Sequence, residues 1–236
     1  MKKQPVILAF AILFIGFALI FCNGCKKDVS PVTPPVQNGI DTTRPTLSLF
    51  GASNIDIVLN SANFIDPGCT AFDNIDGDIT PSIIITGSVN TNLAGIYVLS
   101  YSATDSSGNQ NSVQRYVRVY NQAENLQGNY NVNDSTAGAP NIVYTETITP
   151  STTINNRVLF SKFAANANCS VYGNKVGLTM SIPSQTVLNT GNPPADRTFT
   201  SISSSIVYGT NTTMYIYYSE ITNGITTYGK GTYTKL

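Results

Sequence analysis

The sequence predicts an all-β protein, built as two units behind an N-terminal leader and a stiff spacer. Three observations carry that expectation. Beyond residue 45 no useful stretch keeps apolar residues at the three-to-four spacing of an amphipathic helix. Short runs of Thr, Val, Ile and Tyr alternate instead with turns rich in Gly, Asn, Asp and Pro. Residues 112–120 alternate strictly, with Val113, Arg115, Val117 and Val119 on one face and Gln114, Tyr116, Arg118 and Tyr120 on the other. That two-residue period is the geometry of a strand.

The leader comes first. Lys2 and Lys3 precede an apolar run from Val6 to Phe21, followed by Cys22-Asn23-Gly24-Cys25. A basic start, an apolar middle and a small residue before the cut are the marks of a secretory signal, here residues 1–24. An uncleaved membrane helix is the competing reading, but the 16 apolar residues fall short of the ~20 that a span requires. Cys25-Lys26-Lys27-Asp28 resembles the lipobox of bacterial lipoproteins, in the short form common among Bacteroidetes-type surface lipoproteins. The resemblance implies cleavage before Cys25, a diacylglycerol on its sulfur, a membrane as partner, and an address in the bacterial cell envelope, with the outer membrane expected. Residues 25–45 hold Pro31, Pro34, Pro35 and Pro45 with few apolar side chains, the composition of an extended spacer.

Candidate strands of the first unit, residues 46–121, are 46–50, 54–59, 82–87, 96–104 and 112–120. Its motifs are Asp66-Pro67-Gly68 with Ala71, then Asp73, Asp76-Gly77-Asp78-Ile79-Thr80, Gly95-Ile96-Tyr97, Tyr101, Ala103 to Asn109, and Arg115 to Val119. In order and spacing these resemble the bacterial Ig-like domain of the hyalin-repeat type, also found beside pesticidal crystal proteins. The resemblance implies an antiparallel β-sandwich with Greek-key connections.

Residues 122–236 form the second unit, with candidate strands at 128–134, 142–149, 157–163, 169–173, 175–182, 198–208, 212–220 and 225–234. Eight closely spaced strands suit a small β-barrel or a second sandwich. Gly128-Asn129-Tyr130, Ile182-Pro183-Ser184-Gln185 and the paired run Ile206 to Tyr218 resemble the C-terminal domain that Bacteroidetes lipoproteins join to such an Ig-like unit; that resemblance implies no activity.

Composition excludes several chemistries. The chain has no histidine, hence no Ser-His-Asp triad, Cys-His pair or His-ligated zinc. Its 13 basic and 13 acidic side chains, without basic runs, argue against nucleic acid as a partner. There is no G-x-S-x-G or S-x-x-K. Gly224 to Lys230 begins like a phosphate loop, but Gly231 stands where Ser or Thr is needed. Glu146 and Glu220 are the carboxylates a glycosidase would require as a flanking pair, and nothing in the spacing joins them. The chain is expected not to be an enzyme.

Binding candidates remain. Asp73, Asp76, Asp78 and Asp105 gather in or near loops of the first unit and are candidate calcium ligands, since calcium takes six to eight oxygens. Asx turns, in which an aspartate accepts from amides two residues on, account for the same residues without a metal and are the favoured reading. No other cofactor is expected. Tyr215 and Tyr217 share a strand face opposite Met214, Ile216 and Tyr218, so one set lies outside the core and could stack sugars. The expected partner is accordingly a glycan or an envelope protein. Asp41-Thr42-Thr43 and Asp134-Ser135-Thr136 also resemble the O-glycosylation motif of Bacteroidetes exported proteins. Cys69 and Cys169, one in each unit, read as a disulfide or, preferably, as two small buried hydrophobes.

Overall fold

The structure is a computed structural model describing residues 39–166, 168–190 and 194–236. The expected signal, Cys25 and residues 25–38 of the spacer lie outside the described residues.

Two small sheets face each other over the first part. One joins β1 (Thr46–Leu49), β3 (Cys69–Asp73) and β4 (Gly77–Asp78). The other has β2 (Asn54–Val58), β5 (Ile84–Thr86), β6 (Gly95–Thr104) and β7 (Gln110–Tyr120), in the order β2-β7-β6-β5. β2 runs parallel to β7, and the other pairs are antiparallel. Leu99, Tyr101 and Cys69 pack between the sheets with Leu47, Leu49, Phe64 and Val113 around them. The alternation read from β7 holds: Arg115, Val117 and Val119 are buried, and Tyr116 and Arg118 face solvent.

The remaining strands are β8 (Gly128–Thr136), β9 (Ile142–Pro150), β10 (Arg157–Phe160), β11 (Val171–Val176), β12 (Thr179–Ser181), β13 (Gln185–Thr190), β14 (Ala195–Val207), β15 (Thr213–Thr222) and β16 (Ile225–Lys235). They form one antiparallel sheet, ordered β12-β11-β10-β9-β8-β16-β15-β14-β13, curled into a half-barrel. Its end strand comes back against β14: Ser201 and Ile206 donate from their amides to the carbonyls of Ile182 (2.9 Å) and Leu178 (2.7 Å). The amides of Met180 and Ile182 donate to Ser204 Oγ (2.7 Å) and Ser201 Oγ (2.8 Å). Side-chain hydroxyls thus replace ladder carbonyls beside a register shift at Ser201/Ser203, which keeps an otherwise open edge paired.

Aromatic rings fill the interior. Phe163 meets Phe160, Phe199 and Tyr218 edge-on at 5.5, 5.3 and 5.1 Å between centroids, and Phe160 meets Tyr233 at 5.7 Å. Edge-to-face pairs of this kind are worth about 0.5–1.5 kcal/mol each beyond the area they bury. Room for the rings comes from β16: a methyl group at Gly229 would overlap Tyr218, and one at Gly231 would meet Tyr233. Gly229, which mimics part of a phosphate loop, is therefore a strand glycine making space for a tyrosine, as is Gly231, whereas Gly224 is a turn glycine at φ +78°.

Ile40–Leu236 is one compact unit. The buried Asn121, at the end of β7, explains how the sandwich and the half-barrel meet. Its Nδ2 lies 2.8 Å from the Ser151 carbonyl, 3.1 Å from that of Ile154 and 3.0 Å from that of Arg157, while its Oδ1 accepts from the amides of Ala123 and Asn156. Asn60 grips the same loop, donating to the Thr153 carbonyl at 3.1 Å and accepting from the Asn155 amide at 2.8 Å. Cys69 and Cys169 are free and buried, in accord with the buried-hydrophobe reading; burial pushes both thiols up, that of Cys169 to about 12.

Candidate functional site

The motif residues of the sandwich divide into those that build it and those that could hold a ligand. Asp66 Oδ1 accepts from the Gly68 amide at 3.2 Å and from the Tyr101 hydroxyl at 2.6 Å. Arg115, fully buried, lies 3.4 Å from the same oxygen and donates to Tyr101 Oη at 3.1 Å. Its remaining nitrogens donate to the carbonyls of Phe50 (2.8 Å), Ala52 (3.0 Å) and Gly68 (3.0 Å). A buried guanidinium is tolerated only when its hydrogens are satisfied this fully. These residues clamp the Asp66-Pro67-Gly68 turn to β7, so their role is structural.

The four candidate calcium ligands separate. Asp76 accepts from the amide and hydroxyl of Ser106, at 2.6 and 2.7 Å, tying two loops together. Asp78 accepts from the Thr80 amide at 2.9 Å, and bonding to Thr80 holds its carboxyl below the usual range. Asp73 Oδ1 accepts from the amides of Asp76 (3.0 Å) and Ile75 (2.8 Å), which lower its pKa; its Oδ2 is buried with no partner. Asp105 receives both the backbone and side-chain N–H of Asn109, at 2.7 and 2.8 Å. Asp73 and Asp105 are joined not by Asp76 and Asp78 but by Asp41, the oxygens of the three lying within 4.8 Å of one another. Asp41 sits in what reads as spacer, and only the fold brings it there.

Tyr215 and Tyr217 lie on the outward face of β15, with Met214, Ile216, Tyr218 and Glu220 inward. Lys230 of β16, in register with Tyr217, holds its Nζ 5.5 Å from the Tyr215 ring and 5.3 Å from the Tyr217 ring. Tyr217 and Lys230 line an open cleft of about 420 Å³ with Tyr228, Ile202, Ser135 and Ser203. Sequence reasoning missed Tyr228, which the two-residue period places on the face of Lys230.

The interior of the half-barrel carries a second set of acids. Asp134 accepts from the Tyr218 hydroxyl at 2.8 Å, and burial raises its pKa from 3.8 to about 6. Glu146 Oε1 accepts from the amide of Ser161 (2.6 Å), its hydroxyl (2.8 Å) and the Lys162 amide (2.9 Å), yet burial still raises its pKa. Glu220 pairs with Arg197 and accepts from Thr222 Oγ1 at 2.9 Å. The fold thus places Glu146 and Glu220 in one interior, but both are buried, each engaged in structural bonds. Asp134 of the Asp134-Ser135-Thr136 motif points into the same interior from β8.

Comparison with known proteins gives an outline. No curated protein matches the chain. Among solved structures it is similar to the lipoprotein BT2262 from Bacteroides thetaiotaomicron, at 20% identity and a TM-score of 0.33, over 81% of this chain and 100% of that one. It is also similar to the structure of CBM51-2 in complex with GlcNAc and INT domains from Clostridium perfringens ZmpB, at 14% identity and a TM-score of 0.27. That match covers 81% of this chain and 44% of the other. Residues 47–119, the stretch organised around the Arg115–Asp66 clamp, match the family model for the Ig-like domain of bacterial surface proteins.

Proposed function

We propose that this chain is a non-catalytic, lipid-anchored protein of the bacterial cell envelope, attached through Cys25, whose half-barrel binds a surface glycan at Tyr215, Tyr217, Tyr228 and Lys230. The observation that carries the reading is the outward tyrosine pair flanking Lys230 beside an open cleft. Phenol rings offer flat apolar faces to the C–H side of a sugar, and Ser135, Ser203 and the ammonium offer hydrogen bonds at its rim. The cation favours a carboxylated or sulfated saccharide over a neutral one. A surface address is supported by the match of residues 47–119 to the bacterial surface Ig-like family.

The test uses the full-length chain in detergent against neutral, uronate-containing and sulfated polysaccharides. Retention by an acidic polymer, weakened roughly tenfold by Tyr217→Ala and by Lys230→Gln and reduced at high salt, is the expected result. Binding indifferent to these substitutions would refute the assignment of the cleft.

A second reading, assembly with an envelope protein, has its own observation. The outer face of the β2-β7-β6-β5 sheet exposes Ile84, Ile96, Val98 and Tyr116, with Val98 opposite Tyr116 in register. Contiguous exposed apolar groups mark contact surfaces. Loss of a co-purifying protein on Ile96→Lys, with glycan binding absent from the wild type, would favour this reading.

A further inference from the structure

We propose that Asp41, Asp73 and Asp105 hold a calcium ion that fastens the start of the folded chain to the loop end of the sandwich. Their carboxylate oxygens lie within 4.8 Å of one another, and Asp73 and Asp105 are 1% and 7% exposed. Like charges gathered this closely out of water repel unless a cation sits among them. None of the four ion pairs among the described residues involves these three.

The independent sign of a missing ligand is Asp73 Oδ2. It is fully buried and accepts no hydrogen bond, although Oδ1 of the same carboxylate takes two amides. A buried carboxylate oxygen with no donor is costly, and a cation beside it removes that cost. Asn109 prepares the other members: its Nδ2 lies 2.8 Å from Asp105 Oδ2 and 3.0 Å from the Asp41 carbonyl, fixing the two segments together. The donor set selects the metal. Three carboxylates beside main-chain carbonyls suit calcium, which takes six to eight oxygens, whereas magnesium keeps several waters and is held by one or two carboxylates.

The consequence is mechanical. Asp41 lies in the last residues before β1, so calcium would hold that short segment to two loops of the sandwich.

The experiment titrates calcium chloride alone, then magnesium chloride, into the full-length chain in detergent after chelation, reading calorimetric binding and melting temperature. The expected result is one calcium per chain with a raised melting temperature, and weaker binding of magnesium. Asp41→Asn, which removes a half-buried carboxylate from the chain start, should weaken calcium by roughly tenfold or more while the apo protein, relieved of one repelling charge, melts no lower than the wild type. Asp73→Asn should do the same, and Asp78→Asn should bind as the wild type. No calcium effect on the wild type, or calcium binding unchanged in Asp41→Asn, would overturn the site.

Discussion

Asp134 shows what a single side chain imposes on this fold. Its carboxyl keeps a proton to about pH 6 in the folded chain but only to about 3.8 when exposed. An acid whose pKa rises on folding contributes most below its unfolded value, and that contribution is lost as pH climbs to the folded value. Stability attributable to Asp134 is therefore full below pH ~4, falls between ~4 and ~6, and stays level above; the whole difference is about 3 kcal/mol. Asp134→Asn keeps an acceptor for Tyr218 without the ionisation. Its stability relative to the wild type should improve by about that amount between pH 4 and 7, measured by urea unfolding at each pH. A pH-independent difference between the two would contradict the assignment. Arg115 teaches the complementary lesson: its place on the inward face of β7 is legible from alternation, but its partners at Phe50, Ala52 and Gly68 are not, because they are main-chain carbonyls of distant loops.

Strands were legible where their side chains alternate against a core, as in β7, β8 and β15. β3, β4 and β13 escaped. β3 is five residues ending in an aspartate, β4 has two residues, and β13 follows Pro183-Ser184 with a mostly polar sequence. The serines of β14 carry no strand preference, and their value lies in accepting from the amides of Met180 in β12 and of Ile182 just beyond it. Closure of a sheet on itself is a long-range fact that local composition does not encode. Gly229 is the element-scale test of that closed interior. Gly229→Ala would press a methyl group into Tyr218, the ring that bonds Asp134, and overpacking of this kind costs about 1–3 kcal/mol. Urea unfolding should show that loss; an unchanged midpoint for Gly229→Ala would mean that the strand yields instead.

Across Ile40–Leu236, two sheets and a half-barrel are joined through Asn60 and Asn121 into one compact unit, which carries the outward tyrosines of β15. The candidate site was half visible beforehand: the period of β15 placed Tyr215 and Tyr217 together, whereas Lys230 and Tyr228 joined them only through the β15–β16 register. Asp41 was hidden for the same reason, since no spacing along the chain brings it to Asp73.

An envelope-anchored half-barrel that captures an acidic glycan should do so on intact cells. Cells producing the wild-type chain, Cys25→Ala, or the Tyr215→Ala/Tyr217→Ala double variant would be incubated with a fluorescent acidic polysaccharide, with chain abundance measured in parallel. Wild-type cells should be bright and both variants should lose the signal, with the double variant still in the membrane fraction. Equal fluorescence from wild-type and double-variant cells at equal abundance would contradict capture at these tyrosines.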